Sequence, residues 1–380
     1  MKIRWIIFTA VVVFVIVSYF IWRQSGRSNI VFSPSTNPEE ISAYGLNNDH
    51  GNILTIQPFL SLSNYASLQN FNQALDHYLA VAQSKGYVNS KTIAVFPEYI
   101  GTWLVTAYEK TAVYTAPDIT KGMQPIVLCH ILPFLKELVF ASNQAKDTVK
   151  YSLFKVKAKT MAKIYHDVFS GLAKKYQITI VAGSIILPTP RLNQDRLETG
   201  DGKLYNITVV YQPDGKPYPS LVFKVFPTSS EIPFIAKGDP ARLPIFQTPA
   251  GRLGVLICAD AWYPAAYQAL QKQNPDIIVV PSFKPLNSKF SNPWGGYDGY
   301  PAPDDVNLSD IGKITEEDAL LKYSLPGRIA SAGARYGVDV FLRGNFWDLG
   351  SDGYPILVND GTTVKGKYIS GAVLLNFWLP

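Results

Sequence analysis

Apolar segments that end in a single reactive side chain recur three times in this chain, and this recurrence limits the folds it can adopt. One such segment precedes Glu98, another surrounds Lys224, and a third runs directly into Cys258. Short apolar runs of this length favour buried strands. We therefore expect a carboxylate, an ammonium and a thiol at three strand ends, with the thiol directed at solvent.

Strand-like and helix-like segments alternate after residue 50, which predicts an α/β body. The turn Pro213-Asp214-Gly215 predicts an antiparallel hairpin between the two segments that flank it. The predicted strands are 53–57, 92–96, 178–184, 204–211, 220–226, 254–257, 277–281, 338–342, 355–358 and 372–377. The predicted helices are 68–82, 155–176, 265–271 and 325–336.

The N-terminus predicts a transmembrane signal anchor over residues 1–22. Residues 5–22 contain no charged side chain, are long enough to cross the hydrocarbon layer, and have no polar face that would favour an interfacial helix. A cleaved signal peptide is the alternative, but the apolar run is long for one and no small-residue cleavage site follows it.

The segment after the anchor, residues 23–50, is rich in Ser, Asn and Pro and predicts a linker, so the folded domain is expected over 51–380. The charges that flank the apolar run are Lys2 and Arg4 before it and Arg23 and Arg27 after it. Together with the terminal amine they favour a cytoplasmic N-terminus, which predicts a single-pass membrane protein with its body on the extracytoplasmic side.

Composition excludes several classes of protein. The formal net charge is +6, but Lys and Arg are scattered, which predicts no nucleic-acid partner. Two cysteines exclude a disulfide-rich scaffold and a Cys-based zinc cluster. None of the four histidines lies at a strand end or at metal-ligand spacing, so neither a Cys-His dyad nor a metal site is predicted.

Two segments are expected as insertions. Residues 102–150 hold three prolines and an apolar stretch interrupted by charges, which predicts a lid, an oligomer face, an interfacial helix or an ordinary core helix rather than a second span. Residues 286–318 form a long loop rich in Gly, Pro and aromatic residues, and such loops are usually functional or poorly ordered.

The three reactive side chains have complementary chemistry. A thiol attacks a carbonyl or nitrile carbon as thiolate, so Cys258 needs a base and a positive neighbour. We expect Glu98 to take the thiol proton of Cys258 and to return it to the leaving amine. Lys224 and the backbone N–H of Ala259 are expected to stabilise the oxyanion. A helix that begins near Pro264 is expected to assist through its N-terminal dipole.

The motifs that hold these residues resemble those of the nitrilase superfamily of carbon–nitrogen hydrolases. The resemblance extends from about residue 51 to the C-terminus. It includes Phe96-Pro97-Glu98, Gly183-Ser184, Tyr205-Asn206, Asp214-Gly215, Phe223-Lys224, Ile257-Cys258-Ala259-Asp260, Arg328-Ile329-Ala330, Gly344-Asn345 and Asn359-Asp360-Gly361.

The resemblance implies an α-β-β-α sandwich that pairs into dimers or larger homo-oligomers. It implies a mechanism through a covalent thioester, without metal or cofactor, on a small-molecule amide substrate. It also implies a second glutamate after the lysine, for which Glu231 is the candidate. Ala259 and Asp260 stand where nitrilases proper usually have Trp and Glu, which favours an amide or carbamoyl substrate over a nitrile.

Two other functions remain open at this point. The first is an N-acyltransferase that uses the same three groups near a membrane, and the second is an inactive scaffold that keeps the fold. Trp262 and Tyr263 are expected either to line the substrate pocket or simply to pack, and Asp260 is expected to bind backbone N–H groups.

Overall fold

The structure is a computed structural model that describes residues 2–27 and 36–380. Nine α-helices lie within those ranges, and two of them are only four residues long. They are α1 (Lys2–Gln24), α2 (Leu68–Ser84), α3 (Thr111–Tyr114), α4 (Ile119–Cys129), α5 (Ile131–Ala141), α6 (Thr148–Tyr176), α7 (Pro264–Gln271), α8 (Glu316–Tyr323) and α9 (Leu325–Arg328).

Two six-stranded sheets form the centre of the described molecule. The first has the order β1 (Glu40–Tyr44), β19 (Val373–Trp378), β2 (Asn52–Gln57), β4 (Thr92–Val95), β5 (Thr179–Val181) and β10 (Val210–Tyr211). The second has the order β12 (Ile245–Thr248), β13 (Gly251–Val255), β14 (Ile277–Ser282), β15 (Tyr336–Phe341), β17 (Ile356–Asn359) and β18 (Thr362–Lys365).

Smaller sheets extend this centre. One has the order β11 (Val222–Phe223), β9 (Leu204–Thr208) and β6 (Ile185–Pro188). Two others pair β3 (Phe59–Ser61) with β16 (Arg343–Asn345), and β7 (Arg191–Asn193) with β8 (Arg196–Glu198). In the predicted hairpin, Val222 lies opposite Thr208 in an antiparallel register.

The alternation of side chains along the strands separates two apolar cores. Ile53 and Ile93 face the second sheet, whereas their neighbours Leu54 and Ala94 face α2 and α6. On the second sheet, Gly254 lies against Leu270 of α7. The layers are therefore helix, sheet, sheet and helix, and the predicted α-β-β-α sandwich is confirmed.

Several predicted boundaries are wrong. Glu40–Tyr44, placed in the linker by its polar composition, pairs in parallel with the C-terminal strand β19 as an edge strand. The linker therefore ends before residue 40 and the folded domain begins earlier than residue 51.

The helix predicted over 325–336 is also much shorter. It ends at Arg328 and is followed by a 3-10 turn and by Gly333, which has a φ of +75°. This left-handed glycine stops the helix, and Tyr336 begins a buried strand. The apolar spacing of the segment does not distinguish a helix from a turn followed by a strand.

The predicted strand 178–184 is divided in two. β5 ends at Val181, and the chain turns at Gly183 before β6 begins at Ile185. Of the predicted strand 220–226, only Val222 and Phe223 belong to the sheet. Beyond Lys224 the backbone N–H groups donate to a side chain instead of a neighbouring strand.

Of the described helices, α1 is long and apolar enough to cross a membrane by itself. The pair α4 and α5 passes the same test together but is bent by 105° between the two helices. Both lie in the insertion 102–150, whereas the insertion 286–318 is mostly irregular.

Candidate active site

Glu98 lies on a tight turn at the end of β4. Gly183 approaches this turn so closely that a Cβ there would lie 2.1 Å from the carbonyl oxygen of Pro97. Ser184 holds the next residue, because its hydroxyl accepts the N–H of Tyr99 at 2.9 Å. Tyr99 has a φ of +61°, and the turn directs Glu98 into the interior, where it is 1 % exposed.

Lys224 is placed by backbone contacts on both sides. Its N–H donates to the carbonyl of Asn206 at 2.9 Å, as the last contact of the small sheet. The N–H groups of Val225 and Phe226 then donate to one carboxylate oxygen of Asp260, at 2.9 and 2.7 Å. These bonds explain why the strand ends at Phe223.

Asp260 connects the lysine segment to the cysteine segment. Its second carboxylate oxygen accepts the N–H of Ile257, which precedes Cys258, at 3.2 Å. Burial raises the pKa of Asp260 to about 7, although these backbone donors oppose the rise. The carboxyl group therefore fixes the relative position of two turns, as its predicted structural role requires.

Cys258 begins a 3-10 turn, Cys258–Trp262, with a φ of +49°. This left-handed conformation is strained for a residue with a side chain and is common where a site holds a group in a set position. The thiol lies 3.7 Å from the carbonyl oxygen of Phe283. It is also close enough to Glu98 that the charge of this carboxylate raises the pKa of the thiol.

Two expectations about the surroundings of Cys258 are wrong. Strand β13 ends at Val255, before the cysteine, whose side chain is partly exposed. The 3-10 turn also separates it from α7, which begins at Pro264. Because a helix dipole acts mainly within its first turn, we assign α7 no part in the site.

Lys224 joins two carboxylates into a buried cluster. Its ammonium nitrogen lies 2.8 Å from Oε1 of Glu98 and 2.6 Å from Oε2 of Glu231. The side-chain amide of Asn206 donates to the same two residues, to Oε1 of Glu98 at 2.9 Å and Oε1 of Glu231 at 3.1 Å. All four residues are at most 2 % exposed. The structure thus brings Glu98, Lys224, Glu231 and the Cys258 thiol into one group.

Glu231 accepts more hydrogen bonds than Glu98 does. Besides Lys224 and Asn206, it accepts the hydroxyl of Tyr99 and the N–H of Thr228, the latter at 2.9 Å. Thr228 belongs to the same turn, so the carboxylate also holds its own backbone segment. Hydrogen bonds to both oxygens stabilise the ionised form.

The pKa values of the cluster separate the two carboxyl groups. Burial raises the pKa of Glu98, although the charge of Lys224 opposes the rise. Burial acts in the same direction on Glu231, but Lys224 and the other donors lower its pKa below the usual value. The pKa of Lys224 is raised despite its burial, because both carboxylates favour the ammonium. Burial, and then the charge of Glu98, raise the pKa of the Cys258 thiol.

The predicted pocket residues follow Cys258 in the chain but do not all contact the cluster. Ala259 is half-buried beside the thiol. The ring of Tyr263 stacks on Phe226 with centroids 3.9 Å apart, and that of Trp262 stacks on Trp294 at 6.2 Å. Trp262 and Tyr263 therefore pack against neighbouring aromatic residues and the insertion 286–318.

That insertion is held over the aromatic residues by Arg328. Its guanidinium donates to Asp305 at 2.6 Å and to the hydroxyl of Tyr297 at 3.3 Å. Tyr297 in turn donates to the carbonyl of Trp262 at 2.9 Å. The loop is thus tied to the 3-10 turn that begins with the nucleophile candidate.

Asn206 and Tyr99 belong to the site although neither was predicted as a site residue. Asn206 belongs to the quoted pair Tyr205-Asn206 and Tyr99 follows Glu98 directly, so the motifs contained both without showing their partners. Among the described residues 2–27 and 36–380, no group of three or more His, Cys, Asp or Glu side chains has the arrangement of a metal site.

Part of the chain is similar to a known protein family. Residues 155–296, which include Lys224, Glu231 and Cys258, match the family model for carbon-nitrogen hydrolases. The probable hydrolase YhcX of Bacillus subtilis is 26% identical over 117 residues, 31% of this chain and 20% of that protein. The bifunctional nitrilase/nitrile hydratase NIT4B of Lupinus angustifolius is 28% identical over 116 residues, 30% of this chain and 29% of that protein. This chain spans less than a third of the length of these curated relatives.

Solved structures share the fold over a larger part of the chain. An amidase from Nesterenkonia sp. AN1, with acrylamide added to its active-site cysteine, has a TM-score of 0.50 at 14% identity. The alignment covers 87% of this chain and 94% of that chain. Another structure of the amidase, described as belonging to the nitrilase superfamily, has a TM-score of 0.50 at 15% identity and covers 88% of this chain and 94% of that one. Residues 155–296 are thus similar to carbon-nitrogen hydrolases, and the chain shares the fold of these amidases over most of its length.

Proposed function

We propose that this chain is a membrane-anchored hydrolase of non-peptide carbon–nitrogen bonds, of the amide or carbamoyl type, that acts through a thioester on Cys258. The observation that carries the proposal is the position of one thiol beside a buried carboxyl–ammonium–carboxylate cluster, where the charges of Glu98 and Lys224 both act on it. The amidase neighbours and the Ala259-Asp260 pair favour an amide over a nitrile.

The base is Glu98 rather than Glu231. Lys224 and Asn206 both bind Oε1 of Glu98, which leaves Oε2, among the described contacts, for proton exchange with the thiol. Both oxygens of Glu231 are occupied by donors and its pKa is lowered, so it serves as a supporting anion that keeps Lys224 charged. A raised pKa makes Glu98 the stronger base.

The first half of the reaction acylates the enzyme. The sulfur of Cys258 attacks the carbonyl carbon while Glu98 takes the thiol proton. The backbone N–H of Ala259 and the ammonium of Lys224 stabilise the oxyanion, and such donors contribute on the order of 3 kcal/mol each. The carbon–nitrogen bond then breaks, and Glu98 returns the proton to the leaving amine or ammonia.

The second half releases the acid. Glu98 takes a proton from water, whose oxygen attacks the thioester carbon, and the carbon–sulfur bond breaks. The thiolate recovers its proton from Glu98. Because the raised pKa of Cys258 keeps the resting thiol neutral, proton transfer accompanies attack in this scheme.

Trapping of the acyl-enzyme tests the proposal. We expect intact mass spectrometry to show an adduct of acyl mass on the wild-type chain after exposure to a panel of small amides, with release of ammonia or amine. The Cys258→Ala variant should show neither, whereas Cys129→Ala, which changes a buried cysteine outside the cluster, should behave as wild type. No adduct and no product across a broad panel would contradict the hydrolase.

The acyltransferase remains the second candidate, and the long apolar helix α1 favours it because it would hold the site near lipid. Competition between water and added amines for the trapped acyl group separates the two functions. Turnover that requires an amine acceptor would support the transferase. Equally slow alkylation of Cys258 and Cys129 by iodoacetamide would instead support an inactive scaffold.

The anchor and assembly are parts of the same proposal. We infer a single-pass protein anchored through residues 5–22, with the enzymatic domain on the extracytoplasmic side, that forms a homodimer or a larger homo-oligomer. Protection of the domain from protease in intact cells but not in permeabilised ones would contradict this orientation. Light scattering of the purified chain in detergent, corrected for the detergent, measures the oligomer.

A further inference from the structure

The outward face of α5 is apolar although nothing among the described residues covers it. Apart from Pro133, its exposed positions follow one helical stripe, at spacings of three, four, seven and eight residues from the first. They are Leu132 (72 % exposed), Leu135 (47 %), Lys136, Val139 (72 %) and Phe140 (63 %), and Leu128 (50 %) at the end of α4 extends the stripe. We call these six residues the outer stripe. A contiguous apolar surface of this kind usually marks a site of protein or membrane contact.

The insertion that carries the outer stripe is bound to the C-terminal end of α1. The ammonium of Lys110 donates to the carbonyl oxygens of Trp22 and Ser25 and lies 4.4 Å from the centre of the Trp22 ring. The N–H of Thr111 donates to the carbonyl of Gly26 at 2.8 Å. A cation near the last carbonyls of a helix stabilises the helix, because it binds free carbonyl oxygens and interacts favourably with the negative end of the helix dipole.

A buried charge cluster strengthens the same junction. The carboxylate of Glu109, 2 % exposed, accepts from Lys157 of α6, from His130 between α4 and α5 at 2.8 Å, and from Arg27 at 3.5 Å. Burial opposes ionisation, but His130 and Lys157 lower the pKa of Glu109, which keeps it charged. The end of α1 and the bend between α4 and α5 are therefore held by one group.

Tyr19 determines where along α1 the end of α4 lies. Its hydroxyl donates to the carbonyl of Leu128 at 3.1 Å. Tyr19 precedes Trp22, the last residue of the uncharged run, by three positions, which is about 4.5 Å along a helix. Tyr and Trp at these positions are typical of the membrane–water boundary. If α1 crosses a bilayer, the bend at Leu128 lies at the edge of its hydrocarbon layer.

We propose that the outer stripe is a membrane-docking surface, and that α5 lies in the interface of the leaflet from which α1 emerges. The lipid leaflet is the occupant because Leu128, at one end of the stripe, is hydrogen-bonded through its carbonyl to Tyr19 near the end of the apolar helix α1. Lys136 lies within the stripe, where its stem can cover apolar surface while its ammonium reaches lipid phosphate. The 105° bend and the hydrogen bond between His130 and the buried Glu109 carboxylate argue against a second span. The proposal rests on α1 as an anchor and is independent of the hydrolase activity.

Fluorescent depth measurements on the full chain test this surface. An NBD fluorophore is attached to Leu132→Cys or Val139→Cys, with Leu308→Cys, 62 % exposed in the other insertion, as the matched control. The labelling background is Cys258→Ala, and the uptake of label by Cys129 is measured in the same background without an added cysteine. The chain is reconstituted into phosphatidylcholine–phosphatidylglycerol vesicles that carry quenchers at set depths.

We expect labels at positions 132 and 139 to lie about 5–10 Å below the headgroups, as interfacial helices do, and the label at 308 to remain in water. Labels in water at all three positions would overturn the proposal. So would labels near the bilayer centre, which would indicate a membrane-inserted loop. Labels at 132 and 139 that neither lipid nor aqueous quenchers reach would also overturn it, because they would indicate a second protein chain on the surface.

Charged substitutions test whether the stripe itself holds the helix in the leaflet. We expect Val139→Glu with Phe140→Glu to move the label at 132 into water, and Leu308→Glu to leave it in place. Both changed side chains are exposed, so thermal unfolding should remain close to that of the parent. An unchanged depth in the double variant would overturn the proposal. Flotation of the chain with vesicles, which α1 alone should maintain, is measured in the same samples.

Discussion

The ammonium of Lys224 determines which protonation state each buried carboxyl group adopts. Burying two carboxylates without a cation costs several kcal/mol per ion, so the pair Glu98 and Glu231 depends on this lysine. It binds Glu231 at 2.6 Å and Glu98 at 2.8 Å, and Glu231 has additional donors that Glu98 lacks. The difference leaves one carboxylate firmly ionised and the other able to exchange a proton.

Removal of Lys224 should therefore affect stability as well as activity. We expect Lys224→Met to abolish turnover and to lower the free energy of unfolding by about 3–5 kcal/mol at pH 7, because two buried carboxylates lose their counter-charge. Urea unfolding measures the loss. It should become smaller as the pH falls, because the carboxyl groups then become protonated and no longer need a cation.

Lys272→Met is the control for this change. Lys272 is exposed just after α7, and surface substitutions usually alter stability by less than about 0.5 kcal/mol. A Lys224→Met chain as stable as this control would show that the two carboxylates do not depend on the lysine.

Replacing Asn206 with Asp adds a negative charge to the cluster with almost no change in side-chain shape. We expect Asn206→Asp to raise the pKa of Glu98, because a third carboxylate replaces a donor on Glu98 and Glu231. The acid limb of the kcat/KM profile for the amide identified by trapping should then move to higher pH. Asn193→Asp, at an exposed position, should leave the profile unchanged, and an unshifted limb in Asn206→Asp would argue against Glu98 as the base.

At the scale of elements, the turn that carries Glu98 depends on the absence of a side chain at Gly183. We expect Gly183→Ala to lower the free energy of unfolding by more than about 1 kcal/mol, because φ is +65° and the new Cβ would lie 2.1 Å from the carbonyl of Pro97. Activity should fall as well, because relief of the clash displaces Glu98. Chemical unfolding and kcat are measured on the same preparation.

Gly171 provides a control of opposite sign. It lies within α6, and a Cβ there would meet no atom within 4 Å. We expect Gly171→Ala to stabilise the protein by about 0.5–1 kcal/mol, because alanine loses less backbone entropy in a helix. Equal effects of the two substitutions would contradict the role assigned to the Gly183 turn.

The elements also show what the sequence can predict here. Strand runs that end near Glu98 and Cys258 were predictable because apolar, β-branched segments are a local signal. The short strand at Lys224 was not, since its end depends on Asp260, more than thirty residues away. Asn206 was placed in a core strand, but its contact with both glutamates arises only when distant turns meet. The edge strand Glu40–Tyr44 is recognisable only beside its partner at the C-terminus.

At the scale of the whole molecule, buried carboxyl groups gather where the two sheets and the turns meet. Glu98, Asp260 and Asp339 all have raised pKa values, with burial as the largest cause in each case. Asp339 lies on β15 and the charge of Glu98 contributes to its shift. Ionising these three carboxyl groups near neutral pH therefore lowers the stability of the folded protein. One of the three, Glu98, belongs to the candidate active site.

Asp339 allows this cost to be measured outside the proposed reaction. Its pKa rises from 3.8 to about 7 on folding, so the folded state binds the proton more tightly than the unfolded state. Stability therefore falls as the pH rises between those two values, and the full cost applies above about 7. We expect Asp339→Asn, which cannot ionise, to gain about 4 kcal/mol of stability relative to the parent over this range, since each unit of pKa shift corresponds to about 1.4 kcal/mol. The measurement is urea unfolding from pH 4 to pH 8.

Asp276→Asn is the control of opposite sign. The Arg252 partner lowers the pKa of Asp276, so the stability that the ionised Asp276 contributes is lost as the pH falls. A difference between Asp339→Asn and the parent that does not change with pH would contradict the prediction, because it would show that folding leaves the pKa of Asp339 unchanged.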